Sequence, residues 1–248
     1  MAETLNPARR QRWWSSGVSI AIVLASVLGG CALLGEEGSG VIVTRQLRIT
    51  DDVDRVEIGD AFRTAIRIEA AAPSGSVRID DNLVDRLRVS IDGDTLSIDL
   101  DGRVRNATLQ ADLALDRLER VNASGASRIR IDGIVTEDLR VDATGASSIQ
   151  LPSAELDELV VGLSGASGAV VGGSASTIDA DVSGASRLSL FDLTCAEARV
   201  EVSGASTAEL TVEDELEATA SGASSIRYGG DPDRVISDVS GASSVAPA

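Results

Sequence analysis

The chain has 248 residues, 22 basic and 39 acidic, for a formal charge of −17, and it contains neither histidine nor lysine. That composition excludes Ser-His-Asp and Cys-His nucleophile systems, histidine-ligated metals and lysine Schiff-base chemistry. The charge opposes binding to nucleic acid or to anionic lipid headgroups, and it attracts cations, calcium among them.

Arg9, Arg10 and Arg12 precede an apolar run from Val18 to Leu28, and Leu28-Gly29-Gly30-Cys31 follows it. A basic start, a short apolar core and small residues before a break describe a secretory signal over residues 1–30. The Leu-x-Gly-Cys ending resembles the lipobox of bacterial lipoproteins. That resemblance implies that Cys31 becomes the first mature residue and carries the lipid on its thioether, which would place the chain on the outer side of the bacterial cell membrane. The alternative is an uncleaved anchor, because Gly17 to Gly35 is almost entirely apolar. Without residues 1–30 the chain keeps 19 basic and 38 acidic residues, a formal charge of −19. Residues 31–40 read as the lipidated cysteine and a short flexible tether. Cys195 then has no disulfide partner and reads as a small apolar core residue.

From Val41 to about Leu115 apolar residues alternate with polar ones: Val56/Ile58, Ile66/Ile68, Val77/Ile79, Leu87/Val89/Ile91, Leu96/Ile98/Leu100 and Leu109/Ala111/Leu113/Leu115. Each run predicts a strand with one face in and one face out. Asp51-Asp52, Pro73-Ser74-Gly75, Asp80-Asp81-Asn82, Asp92-Gly93-Asp94 and Asp101-Gly102 predict the turns, with a hairpin around Gly93. No helix is expected in the mature chain.

Beyond residue 120 a tetrapeptide returns. Ser-Gly-Ala-Ser begins at Ser124, Ser164, Ser183, Ser203, Ser221 and Ser240, and a seventh copy begins with Thr144. The intervals are 20, 20, 19, 20, 18 and 19 residues, a fixed period that marks a stacked-repeat architecture. Alternating apolar runs flank each copy, such as Leu139, Val141 and Ala143 before the second and Ile149 and Leu151 after it, with Arg140, Asp142 and Ser148 facing out. A coil that small cannot bury its apolar face alone, but stacked coils cover one another. The predicted fold is all-β: one single-chain parallel β-helix, or β-solenoid, over residues 41–248, with coils of about 20 residues and a capping final coil, since an open end is a sheet edge. The recurring glycine marks a bend or a backbone that side chains disfavour. The recurring serines either stack as a column of hydrogen-bonded hydroxyls that holds the coils together or form an exposed face that binds a repetitive partner. Which way the column points depends on whether the chain turns at the motif.

These residues also carry a family resemblance. Val56-x-Ile58 with Phe62, the Asp80-Asp81-Asn82-Leu83 turn, Asp92-Gly93-Asp94-Thr95-Leu96-Ser97-Ile98 and the Ser-Gly-Ala-Ser repeats, in that order, resemble the head GIN-type domain of putative autotransporter adhesins. The resemblance spans about residues 40–245. It implies a right-handed parallel β-helix on the outer side of the cell and no established catalytic residues. Many members carry Ser-Gly-Ser/Ala-Gly-Asp where this chain has Ser-Gly-Ala-Ser, and the departure removes a column of aspartates that would offer a cation site.

Trp13 and Trp14 lie in the segment to be removed, leaving Phe62, Phe191 and Tyr228 as the mature aromatics. Recognition must then rest on hydroxyls, backbone, arginine and aspartate along a broad face, and it favours extended, multivalent contact. One reading is therefore a non-enzymatic, lipid-anchored cell-envelope protein that presents a rigid solenoid as an adhesion or interaction module. Its candidate face is the column Ser124, Thr144, Ser164, Ser183, Ser203, Ser221 and Ser240, and its partner a cell-wall polymer or a surface protein. A second reading is a carbohydrate-active β-helix enzyme using paired carboxylates such as Asp80/Asp81, Asp92/Asp94, Asp99/Asp101 or Asp179/Asp181; the plainer account is that acidic residues fill polar turns. A third is an inert spacer. No cofactor is expected except calcium, for which Asp92 and Asp94 are candidates, although their loop lacks a full set of spaced oxygen ligands.

Overall fold

Alternation in the repeats becomes two parallel sheet faces joined at the Gly-Ala corner. The computed structural model describes residues 35–69 and 72–248; the signal segment, Cys31 and the first residues of the tether lie outside them. Strands Ser148–Leu163, Gly168–Val182, Arg187–Val202 and Thr207–Ala220 run parallel, each hydrogen-bonded to the coil before and the coil after. The solenoid makes about six turns. Inward positions stack in columns, such as Val121, Val141, Val161, Ala180, Val200 and Ala218, all at most 1% exposed. Each residue is covered above and below by its counterparts, which is how coils this thin obtain a core.

The uneven period has a structural outlet. Registers shift between Leu151 and Ala154, between Val170 and Gly173, and between Leu190 and Thr194. These lie away from the Gly-Ala corner, so a coil of 18 or 19 residues loses its length there while the motif stays aligned.

The first third departs from the expected run of parallel coils. Leu87–Asp92 and Thr95–Leu100 form an antiparallel hairpin about Gly93, which has φ +62°. Ser74–Asp80 pairs antiparallel with both Ile42–Leu47 and Leu109–Leu115. Arg55–Ile58 and Arg63–Ile68 join the parallel stack, against Arg120–Ala123 and Arg128–Asp132 on one side and against Thr95–Leu100 and Leu109–Leu115 on the other, and the antiparallel pairing begins beyond these. This end is a folded cap that covers the first coil. The expected Asp80–Asn82 turn is the start of a 3₁₀ helix, Asp81–Arg86. Leu83, fully buried at its centre, pins the helix to the core, with Asp81 in its first turn and Arg86 in its last.

The tether expectation also changes. Glu36–Glu37 pairs parallel with Val104–Arg105. Arg86 reaches Glu36 at 2.5 Å and Arg105 reaches Glu37 at 3.0 Å, while the Asn82 amide donates to Glu36 and to the Glu37 carbonyl. Residues 35–40 therefore belong to the folded domain.

At the far end the final coil repeats the geometry of those before it instead of forming a distinct cap. Val235 and Val239 continue the columns above Leu216 and Ala220, yet they are 39% and 44% exposed, because nothing among the described residues covers them. Cys195 is buried, and desolvation, with Glu213 nearby, pushes its thiol up to about 12. It stays protonated and packs as the expected core residue.

Candidate functional site

The four residues of the motif have four different environments. The glycine adopts φ from +69° at Gly125 to +82° at Gly222 and turns the chain. The alanine is exposed, and its N–H donates to the glycine carbonyl one coil below, at 2.7 Å in six consecutive pairs from Ala146→Gly125 to Ala242→Gly222. The parallel ladder thus continues straight through the corner. The last serine is buried: Ser127, Ser147, Ser167, Ser186, Ser206 and Ser224 are at most 4% exposed. Its parity matches that of the inward Leu139 and Ile149, so alternation survives the turn. Its hydroxyl is satisfied mainly by backbone: Ser147 Oγ donates to Ala123 O at 3.0 Å, Ser167 Oγ to Ala143 O at 3.0 Å and Ser224 Oγ to Val202 O at 3.1 Å. Ser167 meets Ser186, and Ser224 meets Ser243, at 3.3 Å. This column bolts coil to coil.

The first residue of the motif does the opposite. Ser164, Ser183 and Ser203 are half-buried and Thr144 is exposed. Ser183 Oγ donates to Leu163 O at 3.2 Å. The hydroxyls of Ser124, Thr144, Ser164, Ser203, Ser221 and Ser240 have no hydrogen-bond partner among the described residues. Parallel pairing sets them about 4.8 Å apart along the solenoid. The hydrogen-bonded column is therefore made by the last serine of the motif, while the first-position hydroxyls lie on the outer side of the corner.

The strands leading into the corner carry charge on the same face. Arg140 grips Asp142 with two bonds of 2.7 and 2.9 Å, and this partnership raises the arginine's pKa further. One coil on, the matching positions are Val160 and Gly162; two coils on, they are Asp179 and Asp181. The missing side chain at Gly162 leaves a shallow hollow of about 370 Å³, bordered by Arg140, Asp142, Thr144, Ser164, Asp179 and Asp181. Of the carboxylate pairs considered from sequence, Asp179/Asp181 is the one that joins the repeat face.

The others are placed elsewhere. Asp92 and Asp94 flank Gly93 in the hairpin; Asp94 is bound to Arg55 at 3.1 Å and accepts the Thr95 hydroxyl at 2.9 Å. No group of three acidic or thiol ligands gathers among the described residues. Asp80 is buried inside the cap, and Asp101 pairs with Arg88 at 2.6 Å.

Asp99 instead meets Asp60, a partner 39 positions away that alternation gave no reason to connect with it. Gly59-Asp60-Ala61-Phe62 occupies the corner beneath Ser124-Gly125-Ala126-Ser127, with Asp60 in the glycine's place at φ +54° and Ala126 N–H donating to its carbonyl. Aligning that segment under the repeats would have exposed the anomaly. Asp60 Oδ2 and Asp99 Oδ1 accept the same Leu100 N–H, at 2.7 and 2.9 Å. Partial burial, then the hydrogen bond to Asp99, raises Asp60 to about 6. Asp60 therefore keeps a proton in the folded chain between about pH 4 and 6, where the unfolded chain has lost it. Its contribution to stability is present at low pH and disappears as pH rises through 6. Solvent screening at this part-exposed site limits the effect to about 1 kcal/mol. Denaturant midpoints at pH 4.5 and 7 should show this fall, and Asp99→Asn should reduce it by raising the pH 7 value. An unchanged pH dependence in the variant would mean that the two carboxylates do not interact.

Comparison with known proteins places this geometry. Three bacterial crystal structures share the fold: an adhesin described as putative from Bacteroides fragilis (17% identity, TM-score 0.79, 86% of this chain and 100% of that one), a putative lipid binding protein from Parabacteroides distasonis (20%, 0.70, 86% and 98%) and a putative adhesin from Parabacteroides merdae (20%, 0.66, 86% and 98%). No curated protein matches the chain. Residues 53–232 match the sequence profile described as putative auto-transporter adhesin, head GIN domain.

Proposed function

Because the chain belongs to the putative auto-transporter adhesin head GIN domain family, we propose that it is a lipid-anchored, non-enzymatic module of the bacterial cell envelope whose repeat face binds a surface polymer or protein. The observation that carries this reading is the division of labour within the motif. The stack is already fastened by the buried last serine and the backbone ladder, so the free first-position hydroxyls are not needed for folding. Six such groups along the column, beside Arg140, Asp179 and Asp181, suit a ligand that itself repeats, and many weak contacts then add as avidity. The lipobox-like Leu28-Gly29-Gly30-Cys31 supplies the anchor through Cys31, and with residues 35–40 packed into the domain the solenoid stands close to the membrane.

The test is co-sedimentation of the lipid-free chain with isolated cell walls and with whole cells of the producing organism, with calcium and with a chelator. Saturable binding is expected, and its loss with chelator would assign a cation to the acidic residues of the face. Absence of saturable binding to both preparations, from protein that is folded by circular dichroism, would refute the reading for the organism's own surface.

A further inference from the structure

The second sheet face, beyond the corner, concentrates positive charge in an otherwise acidic molecule. Pairing registers align Arg78 with Gln110, Gln110 with Arg63, Arg63 with Arg128 and Arg128 with Ser148. Three arginines thus lie within four adjacent strands spaced about 4.8 Å apart, all exposed. Arg63 directly opposes Arg128, an arrangement that is destabilising between like charges. Neighbouring arginines are neutralised: Arg67 by Glu69 and Arg130 by Asp132. Among the described residues, no carboxylate lies within 4 Å of the guanidinium of Arg63, Arg78 or Arg128; Arg78 is held instead by the Gln110 amide oxygen at 3.1 Å. Two open hollows, of about 280 and 490 Å³, share Arg63, Gln110 and Arg128 as lining residues. The first also holds Ser148, Gln150 and one carboxylate, Asp112; the second is walled largely by alanines.

We infer that this groove binds the carboxylates of an acidic polysaccharide. Arginine forks match carboxylates in two-bond geometry, and two unneutralised forks on neighbouring strands suit consecutive acidic groups of one chain. Gln110, Ser148 and Gln150 offer amides and a hydroxyl to sugar hydroxyls, while the alanines leave room for an extended polymer. The net charge of the molecule does not forbid this, because at physiological salt distant carboxylates are screened over about 8 Å while the arginines are in contact. The site lies on the other sheet from Thr144, Ser164 and Ser183 and is independent of the repeat-face reading.

The full chain, kept in detergent, would be titrated onto immobilised polygalacturonate and onto dextran at 0.15 M salt. Saturable binding to the first only is expected. Arg63→Gln with Arg128→Gln should weaken it at least about tenfold, as loss of two charge-assisted contacts implies, and should leave the thermal midpoint unchanged or higher because a like-charge pair is gone. Asp112→Asn should tighten binding, whereas Arg199→Gln, which removes one positive charge from the repeat face, should not alter it. Failure to bind polygalacturonate, undiminished binding by the double variant, or an equal loss with Arg199→Gln would overturn the assignment.

Discussion

Gly184→Ala is expected to destabilise the solenoid by about 3 kcal/mol, far beyond the usual effect of adding one exposed methyl group. Two costs coincide at this corner. Gly184 sits at φ +79°, where an L side chain costs about 1–2 kcal/mol. Its new Cβ would also stand 2.5 Å from the carbonyl oxygen of Gly165, 3.0 Å from its nitrogen and 3.2 Å from its carbonyl carbon. All three are backbone atoms of the coil below, so relief requires the coils to part and the Ala185→Gly165 bond of 2.7 Å to stretch. Gly93→Ala is the internal control. That glycine has φ +62° but no heavy atom within 4 Å of the added carbon, so about 1 kcal/mol is expected. Urea midpoints of the two variants separate close stacking from backbone conformation. Equal losses would mean that the glycine column is required for its turn alone. Because each coil is covered only by its neighbours, the Gly184 variant should also loosen the later coils before the cap.

Asp80→Ala should be nearly as damaging, by about 3 kcal/mol, and at a site with no part in binding. The carboxylate is 1% exposed, and its two oxygens accept the N–H groups of Gly40 at 2.6 Å and Thr108 at 2.7 Å. Truncation leaves two donors unsatisfied where charge-assisted bonds stood. Asp80→Asn keeps the shape but turns an NH₂ group toward one of those donors, so it should lose most of the same stability. Either change releases the segment that Asp80 holds against the cap, and limited proteolysis should then cut within residues 35–41 before the rest of the domain unfolds. A resistant, fully stable Asp80→Asn protein would contradict this role. It would also reopen the enzymatic reading, in which Asp80 belongs to a working carboxylate pair.

The repeats were legible because their physics is local. A period near 20 with alternation on both sides of Gly-Ala is enough to stack coils and to sort Val141 inward and Asp142 outward. The same logic left the motif's direction open, and the answer required a turn that reverses nothing: Gly145 swings outward, yet Ser147 returns to the inward phase of Ile149. The cap was read less well. Alternation is identical in parallel and antiparallel strands, so Val77/Ile79 predicted a strand but not that it would pair backwards with Leu109–Leu115. The 3₁₀ helix hides in six residues with a single deeply buried side chain, Leu83. Gly35 to Gly40 looked like a linker by composition, but Asp80 and Asn82, 40 to 45 positions away, give its backbone partners. Asp60 and Asp99 meet for the same reason: the chain crosses the cap between them, and only the fold brings their carboxyl groups to one N–H.

The most direct test of the central claim fills the hollow on the repeat face. Gly162 lies on a strand with its missing side chain toward that hollow and does not need a positive φ, so Gly162→Gln fills the hollow with an amide; its Cβ would stand 2.5 Å from Asp142 Oδ1, so this carboxylate must turn away from Arg140 while the stack below stays bolted. Saturation binding of the lipid-free protein to isolated cell walls would be measured for both proteins, together with any soluble glycan released. The interaction-module account predicts saturable binding by the native chain, a loss of at least about tenfold in the variant at unchanged thermal midpoint, and no released product. Equal binding by the two proteins, or glycan fragments accumulating with time in the native sample, would contradict it.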